Sequence, residues 1–178
     1  MNIAKIRATR LSRPHKGIAL LEWIVYVGLG LAALAALASY IGDSSSANDI
    51  QAETQNVITI ASNSRDSWSS ANGYGTTSLL GELTSRKGIP SSMTNKNGVV
   101  TNVWGGTVDS VGNGTYYTIS YAKVPQEACA KMTARLSKNS LFASTIINAS
   151  STTGEVTPAV ASQKCQSGSN TISWVSSQ

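Results

Sequence analysis

The hydrophobic pattern divides the chain into an apolar N-terminal segment and a mixed body. From Ile18 to Ile41 only Glu22 is charged, and only Ser39 is otherwise clearly polar. A helix of these 24 residues would measure about 36 Å, which exceeds the roughly 30 Å of a membrane's hydrocarbon core. The pattern therefore predicts a helix long enough to span a membrane.

After the apolar segment the pattern becomes amphipathic. Ile50, Val57, Ala61 and Trp68 follow one another at spacings of seven, four and seven residues, which is typical of one face of a helix. We predict that the helix continues over these residues and lies on a globular head. The NGYG run at residues 72–75 is predicted to end it.

The rest of the chain indicates a sheet with further helices. β-branched and aromatic residues in GVVTNVWGGTVDSV, GTYYTISYAKV and NTISWV predict antiparallel strands, with hairpins at residues 105–106 and 112–114. A short helix is predicted within residues 76–90, and residues 150–163 are interpreted as a surface loop or irregular edge. The fold class is therefore predicted to be α+β.

The segment PQEACAKMTARLSK predicts a helix packed on this sheet. Pro125 suits a first helical position, where its missing N–H costs nothing. Cys129, Met132 and Leu136 then share one face.

The charge is concentrated at the N-terminus. The formal net charge is +5, but residues 1–17 hold five basic residues and no acidic one, which leaves nine of each sign in residues 18–178. The neutral body argues against nucleic-acid binding by the head. The basic flank predicts that the tail stays in the cytoplasm and the body crosses the membrane into an oxidising space.

The reactive residues of the body are few. The only histidine, His15, lies in the tail, so the body lacks a nucleophile–histidine pair or a histidine metal site. Its nine carboxylates form no close pair motif, so no catalytic residue, metal or cofactor is predicted. The two cysteines, Cys129 and Cys165, are predicted to form a disulfide that closes a loop of about 37 residues.

Three explanations of the N-terminal segment compete. An ordinary secretory signal fits the A-x-A pattern at residues 36–38, but its apolar part would be too long. A plain membrane anchor leaves Glu22 unexplained, at an insertion cost of about 2.5 to 3.5 kcal/mol. Cleavage between Gly17 and Ile18 instead creates a free amine, with Glu22 as the fifth residue of the new chain. The carboxylate then has a partner.

The residues KG followed by IALLE, between a basic leader and a long apolar helix, resemble the processing site of type IV prepilins. The resemblance implies that a prepilin peptidase cuts after Gly17, that Ile18 becomes an N-methylated N-terminus, and that Glu22 directs assembly. The 17-residue leader is similar to those of the type IVb class. The order NVWGGTV, YTISYAKVPQEACAKM and a late cysteine resembles the major pilins of thin type IVb pili, including conjugative pili and relatives of the toxin-coregulated pilus.

This resemblance implies a pilin fold and a structural subunit rather than an enzyme. Residues 1–17 would be the cytoplasmic leader, 18–42 the transmembrane and filament-core helix, and 43–178 the head with the amphipathic half of the helix. The partners would be further copies of the chain, the prepilin peptidase and the pilus assembly machinery. The location would be the inner membrane, then an extracellular filament that serves adhesion, aggregation or conjugative mating.

Other functions stay open at this point. A minor pilin or a type II secretion pseudopilin would share the processing site. A membrane-anchored adhesin module could instead expose Tyr74, Tyr116, Tyr117 and Trp174 as a binding surface, although alternate residues of strands more often face the core.

Overall fold

The computed structural model describes residues 24–25, 46–69, 71–97 and 99–177, with the side chains of 94–96 left aside. The chain divides into two units, 1–44 and 45–178, and the second is the head described below. Of the first unit only residues 24–25 are described, and they are helical. The predicted leader and the rest of the predicted membrane helix lie outside the described residues. Among the described helices, none combines the length and hydrophobicity that a membrane crossing requires.

Helix α1 covers residues 46–65 and places one stripe of side chains against the sheet. Ile50, Val57 and Ala61 are almost completely buried, as their helical spacing predicts, and Ile60 is buried beside them. Tyr117 of the sheet donates a hydrogen bond from its hydroxyl to the carbonyl of Ala61 at 2.7 Å. The prediction of an amphipathic helix on a globular head is confirmed.

The predicted end of this helix is wrong. The helix stops at residue 65, so Trp68 does not continue the buried stripe and keeps 50 % of its surface exposed. The cause is the SNSRDS run before Trp68, since Ser, Asn and Asp bond to nearby backbone and favour turns. Backbone bonds from Ser67 to Ser64 and from Trp68 to Arg65 tighten the last turn. The NGYG run belongs to the loop beyond.

The described residues form one sheet of seven antiparallel strands in the order β1-β2-β3-β4-β7-β5-β6. The C-terminal strand β7 lies between β4 and β5, so the end of the chain is built into the middle of the sheet. The strand bounds are β1 Thr94–Lys96, β2 Val99–Thr101, β3 Thr107–Gly112, β4 Tyr117–Pro125, β5 Phe142–Ile147, β6 Ser150–Thr153 and β7 Ser169–Ser176.

The two faces of the sheet differ in burial. Along β4 the side chains of Tyr117, Ile119 and Tyr121 are fully buried, whereas the residues between them are half-buried. On the outer face Ser120 and Ser173 stand opposite each other and share a hydrogen bond at 2.8 Å. The alternation has the period of two that a sheet covered on one side requires.

The described part of the head contains three further, shorter helices: α2 Leu80–Ser85, α3 Gln126–Leu136 and α4 Pro158–Lys164. Helix α3 buries Cys129, Met132 and Leu136, as predicted from their common face. Pro125 is the residue before the helix rather than its first residue. The described head is thus α+β, and the predicted fold class is confirmed.

Strands β1, β5 and β6 and helix α4 are not predicted from the sequence pattern. Strand β5 buries Phe142, Thr145 and Ile147, and the irregular register between Phe142 and Ser144 breaks the period of two. Helix α4 buries only Ala161, so it has no apolar stripe. Its start does carry a signal, because Thr157 caps the helix and a proline follows.

Candidate functional site

The sequence motif and the head are two separate parts of the candidate site. Gly17, Ile18 and Glu22, the predicted processing and assembly residues, lie outside the described residues. The other predicted site residues, Cys129 and Cys165, lie in the described head.

The predicted disulfide is present. Cys129 on α3 and Cys165, directly after α4, are bonded across 36 positions of sequence, with their Cα atoms 5.9 Å apart. Both residues are buried. The side chain of Gln126 donates to the carbonyl of Cys165 at 3.1 Å and supports the same junction. The bond encloses most of α3 together with β5, β6 and α4 in one loop.

Two asparagines lock this loop to the central strands. The buried Asn170 accepts hydrogen bonds from the Gln166 amide at 2.8 Å and from the Asn148 side chain at 2.7 Å. It donates to the Val124 carbonyl at 3.2 Å, at the end of β4. Asn148 accepts from the Thr171 amide at 3.0 Å. The pair therefore joins the β5–β6 turn, β4 and the start of β7.

This asparagine pair is not predicted from the sequence, although one signal is present. Asn148 adopts a φ of 49°, a left-handed conformation that asparagine tolerates better than most residues. Asparagine before a small residue in a turn between two β-branched runs is such a signal. The pairing with Asn170 has no sequence signature, because the residues are 22 positions apart.

A buried carboxylate joins α1 to the β2–β3 turn. Glu53 is 4 % exposed, accepts from the Val103 amide at 2.8 Å and accepts from the Asn56 side chain at 3.2 Å. The Tyr121 hydroxyl lies near the same carboxylate, although it makes no well-formed hydrogen bond with any described residue. Burial, and next the Glu53 carboxylate, raise the pKa of Tyr121 well above its ordinary value of 10.

We expect replacement of Glu53 by alanine to lower the free energy of unfolding by about 2 kcal/mol, because the part-buried amide of Val103 and the buried side chain of Asn56 lose their acceptor. The measurement is urea unfolding of the full-length chain in detergent, followed by circular dichroism. Glu127→Ala is the matched control, since its pair with Lys131 is solvent-exposed and worth less than about 1 kcal/mol. Equal effects of the two substitutions would contradict the assigned role of Glu53.

The aromatic binding surface considered for an adhesin module is wrong for two of its four residues. Tyr117 and Trp174 are fully buried, and their rings belong to the core. Tyr74 packs edge-on against Tyr117, with ring centroids 5.0 Å apart, and Tyr116 is 37 % exposed. Strand alternation decides the matter, because Tyr117 and Trp174 point to the covered face of the sheet.

The described residues contain no cluster of His, Cys, Asp or Glu that could hold a metal ion. The described head is a scaffold of helices and a sheet, and the Cys129–Cys165 disulfide links two of its segments near the C-terminal end.

Comparisons with known proteins agree with this architecture. The PilS family, described as PilS N terminal, matches residues 47–177. The crystal structure of the type IV b pilin from Salmonella typhi aligns with a TM-score of 0.59 and 25 % identity, over 70 % of this chain and 97 % of that chain. The NMR structure of type IVb pilin (PilS) from the same organism aligns at 26 % identity over 71 % of this chain and 95 % of that chain, with a TM-score of 0.48. No curated protein sequence matches the chain.

The family match covers well over half of the chain, including every described strand. Pilins are structural subunits that assemble with their own kind into extracellular pili, and they are not enzymes. The chain belongs to the PilS family, and its head is that of a type IVb pilin.

Proposed function

We propose that the chain is the major structural subunit of a type IVb pilus and polymerises through its N-terminal helix. The observation that carries this proposal is the match of residues 47–177 to the PilS family, on a head with the type IVb pilin fold. The segment that precedes this head has the order expected of a prepilin: basic leader, Gly17, Ile18 and Glu22.

The chain enters the inner membrane as a precursor. The five basic residues of the leader hold it on the cytoplasmic side, and the apolar residues 18–42 cross the membrane. Prepilin peptidase cuts between Gly17 and Ile18, and the new amine of Ile18 is N-methylated. The head then folds in the oxidising space, where the Cys129–Cys165 bond is stable.

Polymerisation removes the apolar helix from the membrane into the core of the filament. The carboxylate of Glu22 pairs there with the amine of Ile18 in a neighbouring subunit. Because this pair forms at only one axial stagger, it fixes the register, and the dispersed apolar contacts supply most of the stabilisation. The heads face outward, where the filament takes part in adhesion, aggregation or conjugative mating.

We expect N-terminal sequencing of the chain from purified pili to begin at Ile18, because cleavage follows Gly17. A start at Ser39 would favour an ordinary secretory signal, whose A-x-A pattern occupies residues 36–38. Gly17→Val should retain the leader and migrate more slowly on a gel. Gly42→Ala is the control that should be processed normally.

Electron microscopy of cells with and without this chain tests the filament itself. Thin pili that disappear with the chain, and that consist mainly of it, would support a major pilin. Pili that persist without it would contradict the proposal and favour a minor pilin or a secretion pseudopilin.

A further inference from the structure

A cleft of about 330 Å³ lies beside the C-terminal end of α1, lined by Arg65, Trp68, Tyr74, Thr115 and Ser177. Its size lies at the lower end of the range for small-molecule sites, roughly 300 to 1,000 Å³. Trp68 keeps 50 % of its surface exposed and Arg65 is also exposed. The cleft combines an open aromatic surface with a cation.

The aromatic wall of the cleft is anchored in the core. The rings of Trp68 and Tyr74 pack edge-on with centroids 5.0 Å apart, and Tyr74 packs in the same way on Tyr117 at 5.0 Å. Tyr117 is fully buried and bonded to the carbonyl of Ala61. This succession of rings holds the half-exposed indole in one orientation.

The backbone around the wall is equally fixed. Ser69 and Gly73 exchange two hydrogen bonds, at 2.9 and 2.8 Å. Tyr74 donates to the carbonyl of Gly114 at 2.8 Å, and Gly114 donates to Gly75 at 2.8 Å. Gly73 has a φ of 60°, and a Cβ there would collide with the Gly114 carbonyl. A ligand would therefore meet a preformed surface and cost little ordering entropy.

Polar side chains also line the cleft. The guanidinium of Arg65 donates to the Ser177 hydroxyl at 3.4 Å, which is a long bond. Within the described part of the chain, no ion pair includes Arg65. Ser177 is held in place, because its hydroxyl donates to the Ser140 carbonyl at 2.8 Å. The described residues therefore leave donors of the guanidinium for a ligand.

We propose that this cleft binds a single pyranose ring of a carbohydrate. A pyranose has a face of C–H groups and a rim of hydroxyl oxygens. The C–H face complements the negative face of the Trp68 indole, and the rim oxygens accept hydrogen bonds from the Arg65 fork. The site goes beyond filament formation, since it gives the head a ligand.

Saturation-transfer NMR tests the site on the full-length chain in a detergent without a sugar headgroup, and on purified pili. The probes are the methyl pyranosides of glucose, galactose, N-acetylglucosamine and glucuronic acid. We expect at least one probe to receive saturation on its ring protons in both preparations. The glucuronide carries a carboxylate where the glucoside has a hydroxymethyl group, and the two are otherwise identical. Comparing their binding therefore shows whether Arg65 binds a neutral or an acidic sugar.

Trp68→Ala should abolish the transfer, and Arg65→Gln should weaken it. Trp104→Ala is the matched control, because Trp104 is a partly buried tryptophan in the β2–β3 turn and should leave binding unchanged. No transfer to any probe in either preparation would overturn the site, as would transfer that survives Trp68→Ala. Binding to the detergent-solubilised chain but not to pili, with assembly lost in Trp68→Ala, would also overturn it and assign the surface to contact between subunits.

Discussion

Glu22→Ala is expected to leave cleavage after Gly17 largely intact while abolishing most pilus formation. Under the proposed function, cleavage depends on the leader and on Gly17, whereas Glu22 acts only once subunits meet. Without the carboxylate, the charged amine of Ile18 enters the apolar filament core with no partner. An uncompensated charge in such surroundings costs several kcal/mol, which is enough to block addition of a subunit. The measurements are N-terminal sequencing and the yield of sheared pili.

Two variants separate charge from shape at this position. Glu22→Gln keeps the size of the side chain and removes the charge, so it should assemble as poorly as Glu22→Ala. Ser39→Ala changes the only other clearly polar residue of the apolar segment and should assemble normally. Normal yields of pili from Glu22→Ala would contradict the register argument, and loss of processing would show that Glu22 acts before assembly.

The parts of the head that the sequence predicts well are those with a local period. Ile50, Val57 and Ala61 repeat on one helical face, and they are buried. The alternation of Tyr117, Ile119 and Tyr121 likewise places their side chains on the covered face of the sheet. In both cases neighbouring residues in the sequence share one environment, so the pattern carries the information.

The parts that the sequence does not predict depend on distant residues. The partners of Asn170 are set by a loop closed elsewhere in the fold, and a buried asparagine has no periodic signature. Glu53 falls on the buried stripe of α1 at a position where a charge is unexpected, and its acceptor role appears only when the Val103 amide is placed beside it. The prediction for Trp68 is wrong because local pattern is followed too far. Its spacing fits the buried face of α1, but the SNSRDS run ends the helix before Trp68 is reached.

The order of the strands explains why the cysteines matter. Strand β7 lies between β4 and β5, so the sheet is complete only when the C-terminal end of the chain has been inserted. The Cys129–Cys165 bond fixes the chain four residues before β7 begins. Asn170, the second residue of β7, then joins the start of that strand to β4. The disulfide therefore lies directly before β7, the strand that links the two halves of the sheet.

Replacing both cysteines, as Cys129→Ala with Cys165→Ala, is expected to lower the free energy of unfolding by about 3 to 4 kcal/mol. The bond spans 36 positions. In the chain-entropy model, closing a loop of that length lowers the conformational entropy of the unfolded chain and so stabilises the folded state by this free energy. Such a loss is a large share of the about 5 to 15 kcal/mol that stabilises an ordinary domain. Urea unfolding of the full-length chain in detergent measures it.

Reduction of the unmodified chain is the matched experiment, because it opens the same loop without changing the sequence. We expect the reduced chain to migrate more slowly on a denaturing gel, and its unfolding midpoint to fall by nearly as much as in the double alanine variant.

Asn170→Ala with the disulfide intact should be less destabilising than loss of the disulfide, since it removes hydrogen bonds but leaves the loop closed. A double alanine variant that unfolds at the wild-type urea concentration would contradict the role of the bond. Free thiols in pili purified without reductant would contradict the bond itself.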